Sequence, residues 1–133
     1  MRRVSEANVE VVRRLFELYG SGGIEAALEV MDEGIVIVIP PDMSAEPDTY
    51  QGHEGARRYF DGFRGMLEDI RYEALELIPE GEHVLVRARL AGRGVSSGLE
   101  VGLESVVAHS VEGGKITRIV PYTDLESARE ALG

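Results

Sequence analysis

Apolar residues recur at Val9, Val12, Leu15, Phe16 and Tyr19, a stripe at helical spacing that predicts a helix from Ser5 to Tyr19. Ser5 is its candidate N-cap and Glu6 places negative charge in the first turn, while Gly20-Ser21-Gly22-Gly23 stops it. A short second helix is predicted from Ile24 to Met31, with Ile24, Ala27, Leu28 and Met31 on one side. The run Ile35-Val36-Ile37-Val38-Ile39 is wholly β-branched, too short for a helix and closed by Pro40-Pro41. It reads as a strand covered on both faces. A loop spans residues 42–52 and contains Asp42, Glu46, Pro47 and Asp48. Ala56, Tyr59, Phe60, Phe63, Leu67 and Ile70 form the buried face of a third helix, from about His53 to Ile70. Gly62 and Gly65 interrupt that helix at about 1 kcal/mol each relative to Ala. Close packing against another element explains them better than space left for a ligand.

After Ile70 the period changes. Strands are predicted over Arg71–Ile78, His83–Ala91, Glu100–Val111 and Lys115–Tyr122, with turns at Pro79-Glu80-Gly81 and Glu112-Gly113-Gly114. A closing helix, Asp124 to Leu132, takes Thr123 or Asp124 as its cap. This order predicts an α+β fold with the helices packed on one face of an antiparallel sheet. The 133 residues make one domain, 1–133, large enough to bury a core without disulfide or metal support.

Charge narrows the partners. Against 14 Lys and Arg stand 24 Asp and Glu, a net charge of −10, which argues against nucleic acid and against an anionic membrane. No segment approaches the ~18 apolar residues of a membrane span. The start, Met1-Arg2-Arg3-Val4-Ser5-Glu6, has no apolar run behind its basic residues, so no signal peptide is read and a cytoplasmic location is expected. With no Cys, thiolate chemistry and Cys-based metal sites are excluded.

Candidate chemistry is sparse. Gly94-Val95-Ser96-Ser97-Gly98 matches the nucleophile-elbow pattern, but strands flank it on both sides and no helix follows, so it reads as a hairpin loop. His53, His83 and His109 lack metal-ligand spacing, and neither metal nor cofactor is expected. His53 and His83 are expected to be solvated. His109 sits in the apolar strand Val106-Val107-Ala108-His109-Ser110-Val111. A partly buried His at the sheet surface or a subunit interface is favoured there over a proton-transfer group, because no paired carboxylate can be placed beside it. Arg87 and Arg89 alternate with Val86, Ala88 and Leu90, which favours both guanidinium groups facing solvent and pairing with Glu100 or Glu104; on a face curled around a cavity they would instead be anion hooks.

Nearly the whole chain resembles the SnoaL-like branch of the nuclear transport factor 2-like superfamily. The matching residues are Glu10-Val11-Val12-Arg13-Arg14-Leu15-Phe16, Gly22-Gly23-Ile24-Glu25-Ala26, Pro40-Pro41, and Tyr50-Gln51-Gly52-His53-Glu54-Gly55 followed by Arg57-Arg58-Tyr59-Phe60. Gly113-Gly114-Lys115-Ile116 and Tyr122-Thr123-Asp124-Leu125-Glu126 complete them. The resemblance implies a cone-shaped barrel, in which a strongly curved antiparallel sheet wraps a long helix, with helices on its concave face and a pocket open at one end. It does not imply one activity, since this architecture hosts isomerases, cyclases, hydrolases and binders. Ketosteroid isomerases carry a Tyr on the first helix, a base Asp before a Pro and a protonated Asp on a later strand. An ungapped match puts Leu15, Ile39 and Val106 there, all apolar. The Arg-x-Asp of limonene-epoxide-hydrolase-like enzymes is Arg87-Ala88-Arg89 here, and Pro121 replaces their second Asp. Polyketide cyclases of the family use an Asp or His near the pocket, and His109 is the nearest survivor.

These readings converge on a mostly apolar pocket lined by Leu15, Tyr19, Ile39, Tyr59, Phe63 and Val106 and holding an apolar small molecule. Two alternatives stand beside that binder. One is a cyclase, isomerase or hydrolase acting on a polycyclic or terpenoid-like substrate through His109. The other is a non-catalytic assembly module. Apolar residues on both alternations of the sheet, such as Leu103 and Val107 against Val106 and Ala108, also predict a homodimer through the uncovered face.

Overall fold

The computed structural model describes residues 2–41 and 48–132. The order is α1 (Arg2–Ala27), a 3-10 turn (Leu28–Val30), β1 (Met31–Val38), β2 (Thr49–Gln51), α2 (Gly52–Arg64), β3 (Leu67–Glu80), β4 (His83–Gly94), β5 (Glu100–Glu112), β6 (Lys115–Tyr122) and α3 (Leu125–Leu132). The strands form one curved, unclosed sheet in the order β2-β1-β6-β5-β4-β3. This is the expected α+β cone. Its one departure from an antiparallel sheet is the parallel pairing of β1 with β6.

Tertiary burial overrides local propensity in both long helices. α1 continues through Gly20, Ser21 and Gly22 and breaks only at Gly23, where φ is 70° and ψ −161°. Ile24 and Ala27 beyond the break share one core with Val12, Leu15 and Phe16, and that burial outweighs the weak helix formers between them. Ser5 therefore lies inside α1, past its first residue. Met31 opens β1, opposite Ile116, instead of ending a helix. α2 stops at Arg64, so the predicted helix to Ile70 is too long, because Leu67 begins β3. Thr49–Gln51 adds a short strand inside the predicted loop, whereas Asp42, Glu46 and Pro47 lie outside the described residues. The β5–β6 hairpin is as predicted, with both Gly113 (φ 57°) and Gly114 (φ 79°) in the left-handed region that a tight two-residue turn requires.

The two-residue period of β4 and β5 separates two cores. Val84, Val86, Ala88, Val107 and Val111 face inward, against α1 and α2. Leu85, Val106 and Ala108 face outward and pack with Leu125, Ala128 and Leu132 of α3. α3 thus lies on the outer face, which corrects the expectation that all helices share one face. Ion pairs cover much of the remaining outer face: Arg71 with Glu100, Arg87 with Glu76 at 3.0 Å, Arg89 with Glu104 at 3.8 Å and Arg93 with Glu68 at 3.1 Å. Arg87 and Arg89 face solvent as their alternation predicts, but Arg87 takes its partner from β3 and not from β5. Arg89 lies flat because residue 102 is Gly; a Cβ there would sit 2.3 Å from the Arg89 Nη2. Among the described residues, these pairs and α3 thus cover much of the outer face that the sequence alone leaves bare and apolar. No described helix is long and apolar enough to cross a membrane.

Asp124 caps α3: its Oδ1 accepts from the Ser127 N–H at 2.8 Å. That bond also holds the Asp124 carboxyl below its usual range. Asp124→Ala is expected to lower the urea midpoint of unfolding, while Asp124→Asn retains most of the wild-type value.

Candidate functional site

Between α2, β2 and the concave face of the sheet lies a cavity of about 550 Å³, within the usual size of a small-molecule site. The positions 59, 62 and 63 of α2 share one helical face, so Tyr59, Gly62 and Phe63 line it together. β2 supplies Tyr50, β3 Tyr72, β4 Leu90, and the inward alternation of β5 supplies Leu103, Ser105 and Val107. The aromatic wall is continuous: ring centroids are 5.5 Å apart for Tyr50 and Tyr59, 5.3 Å for Tyr59 and Phe63, and 6.2 Å for Phe63 and Tyr72. Tyr50 is held from two sides. A Cβ at residue 55 would come within 2.8 Å of the Tyr50 backbone, so Gly55 lets β2 press onto α2. The Arg58 guanidinium stacks over the Tyr50 ring, 4.8 Å from its centroid.

Burial keeps the phenols of Tyr59 and Tyr72 protonated. It pushes Tyr59 up to about 12, with Tyr50 adding to the effect, and raises Tyr72 well above the ordinary tyrosine value, with Tyr59 and Tyr19 contributing. The wall therefore combines hydrocarbon with neutral hydroxyl donors. The one carboxylate among its described residues, Glu104, is paired with Arg89 on the outer face at 3.8 Å.

A SnoaL-like domain matches residues 12–119 of the chain. The protein belongs to the SnoaL-like family. TerC, co-crystallised with polyporic acid, is similar in structure at 23% identity over 93% of this chain and 96% of its own, with a TM-score of 0.76. A protein of Jannaschia sp. CCS1 assigned to the SnoaL-like polyketide cyclases is similar at 24% identity over 95% and 91%, TM-score 0.74. An NTF2-like protein of Burkholderia xenovorans LB400 matches at 29% identity over 96% and 97%, TM-score 0.70. No curated protein matches the chain.

Of the pocket residues expected in this SnoaL-like domain, Ile39, Tyr59 and Phe63 meet in the cavity wall. Leu15 is only 1% exposed, sealed in the core. Tyr19 packs beside Phe60 and Tyr72, at 5.2 and 5.9 Å, and opens onto a separate cleft shared with Arg64 and Asp69. Val106 is on the wrong face, under α3; the inward neighbours are Ser105 and Val107, because a slip of one residue turns every side chain of a strand over. The correction leaves this part of β5 without an inward carboxylate. Tyr50, Tyr72, Leu90 and Val107 were not anticipated. The alternation of Tyr72 with Ala74 carried a signal for one of them, since both face the inner core.

The structure also reverses the reading of Gly62. A Cβ there would meet nothing within 4 Å, so no packing demands the glycine, and it borders the open cavity instead. Gly65 is the C-cap of α2.

His109 is neither at the sheet surface nor in the cavity wall. It is 1% exposed and faces the inner core, edge-on to Phe16 with centroids 6.1 Å apart. Nδ1–H donates to the Val84 carbonyl at 3.3 Å, leaving Nε2 as a bare acceptor with no partner among the described residues. Burial lowers its pKa to about 4, against the smaller opposing effect of the Val84 and Val107 carbonyls. His53 and His83 are half-buried instead of fully solvated: His53 Nε2–H donates to the Met31 carbonyl at 2.9 Å, and His83 Nδ1 lies 3.1 Å from Ser110 Oγ. No group of described residues could hold a metal ion. Gly94 to Gly98 closes a strand-to-strand turn without the geometry of a nucleophile elbow.

Two measurements follow from these placements. His109 titrates near its ordinary 6.5 in the unfolded chain but near 4 in the folded one, so the unfolded state binds more protons between those values. Its contribution is complete above about pH 6.5 and is lost as the pH falls to about 4. Urea unfolding across that window should show about 3 kcal/mol of pH dependence that His109→Leu lacks. Gly62→Ala, in open space on a helix, is expected to raise stability by about 0.5–1 kcal/mol by the same method.

Proposed function

We propose that this protein binds a neutral, ring-bearing, apolar small molecule in the cavity between α2 and the concave sheet face. The observation that carries this reading is the wall itself: Tyr50, Tyr59, Phe63 and Tyr72 around about 550 Å³, with the phenols of Tyr59 and Tyr72 kept protonated. Such a wall rewards apolar area at about 25 cal/mol per Å² and offers hydrogen bonds to a ligand carbonyl. A carboxylate buried there would face no cation in the described wall, and the net charge of −10 repels it from a distance. The co-crystallisation of the similar TerC with polyporic acid supports a small organic ligand.

Catalysis through His109 is less well supported, because its free Nε2 lies in the closed core and no described carboxylate is hydrogen-bonded to its ring. An assembly module with a filled core fits poorly with a cavity of this size. A homodimer, if it uses the outer face, meets the Arg–Glu pairs of β3, β4 and β5 and is sensitive to salt.

A thermal-shift panel of neutral steroids and terpenoids beside carboxylated or sulfated analogues tests the reading. At 100 times its dissociation constant a bound ligand adds about 2.7 kcal/mol of stability. Neutral ligands are expected to give the larger shifts. Tyr72→Phe is expected to weaken ketones by about five- to tenfold and to spare the matching hydrocarbons. Larger shifts from the anions overturn the proposal.

A further inference from the structure

α2 carries three glycines, and the backbone explains two of them. Gly52 opens the helix at φ 69°, in the left-handed region that favours glycine. Gly55 admits the Tyr50 backbone, which a Cβ would approach to 2.8 Å. Gly62 has neither reason. It lies inside the helix, its φ is not positive, and a Cβ there would meet nothing within 4 Å. A glycine at such a place weakens the helix relative to alanine and returns nothing in packing.

What sets Gly62 apart is where the space lies. Tyr59, Gly62 and Met66 follow one another at spacings of three and four, and all belong to the cavity wall. The helical turn continues as far as Met66, since Gly65 N–H donates to the Gly62 carbonyl at 3.3 Å and Met66 N–H to the Phe63 carbonyl at 3.1 Å. A helical side chain lies over the turn before its own Cα, so one at position 62 would lie beside Tyr59. Gly62, Met66 and Leu103 are exposed as well as wall-forming, so the cavity reaches solvent beside them. A side chain at 62 would take up part of that opening.

We propose that position 62 determines the size of ligand the cavity accepts: as glycine it leaves room for the outer part of a ligand whose inner part sits against the aromatic wall. The inference rests on the cavity reading above and adds the residue that sets its size limit. A longer side chain at 62 would narrow the opening while Tyr59, Phe63 and Tyr72 stay in place. Large ligands then lose contact area that small ones never use. Gly20 supplies the control, because it is as open as Gly62 and lies inside α1 but takes no part in the wall.

Equilibrium dialysis of the wild type, Gly62→Leu and Gly20→Leu against 1-tetralone, fluorenone and benzanthrone tests this with neutral ketones of rising ring number. The wild type is expected to hold benzanthrone at least as tightly as 1-tetralone. Gly62→Leu should raise the ratio of the benzanthrone Kd to the 1-tetralone Kd by about tenfold or more, the loss of one buried ring. Gly20→Leu should keep the wild-type ratio. Gly62→Gln, a polar helix former of similar reach, gives the same readout where the leucine variant aggregates. An unchanged ratio at position 62, or the same change from Gly20→Leu, overturns the proposal and leaves the cavity reading standing. So does a wild type that excludes benzanthrone while holding 1-tetralone. If none of the ketones binds the wild type, both readings fall.

Discussion

The packing of α1 into the concave face of the sheet is the contact on which the rest of the molecule depends. Val12, Leu15 and Phe16 close against Val84, Val86 and Ala88, and beyond the kink at Gly23 the same helix delivers Ile24 and Ala27 into that core. α1 fills only part of the concavity. α2 covers the remainder at a shallower depth, through Ala56 and Phe60, and the space left beneath its Tyr59–Phe63 face is the cavity. α1 thus closes the core around His109 through Phe16, while the cavity lies under α2.

The molecule also segregates charge from chemistry. Arginine and glutamate pair on the outer face, where water and salt weaken each bridge and none contributes much alone. Inside, the polar groups are neutral: phenols that hold their protons and an imidazole that declines one. Such an interior avoids the desolvation cost of buried ions.

Much of this architecture was legible in the sequence, for local reasons. β-Branched runs, Gly-Gly turns and the helical stripe of α2 specify element type within a few residues, and the Asp124 cap was among the expected choices. What was not legible depends on contacts distant along the chain. Val106 and Val107 are both valine, and only the pairing of β5 with α3 on one side and α1 on the other decides which faces the cavity. Tyr50 looks like a loop residue until β2 pairs with β1 and Gly55 admits it against α2. Gly62 reads as a packing glycine because sequence does not show that its surroundings are empty. The outer position of α3 was missed because its eight residues suit either face of the sheet.

The sheet stands as a partition between two cores of very different size. The inner one is shared by α1, α2 and most strands, while the outer one rests on Leu85, Val106, Ala108 and Ala128. Because β4 and β5 keep their ladder hydrogen bonds whichever side is exposed, the smaller core can open without breaching the larger. α3 is then expected to open as a unit of its own, at a lower free energy than the cavity side. Amide protons of Leu125–Leu132 would exchange through these local openings, and those of β4 and β5 only through global unfolding. A molecule in the cavity would slow the second class and leave the first untouched.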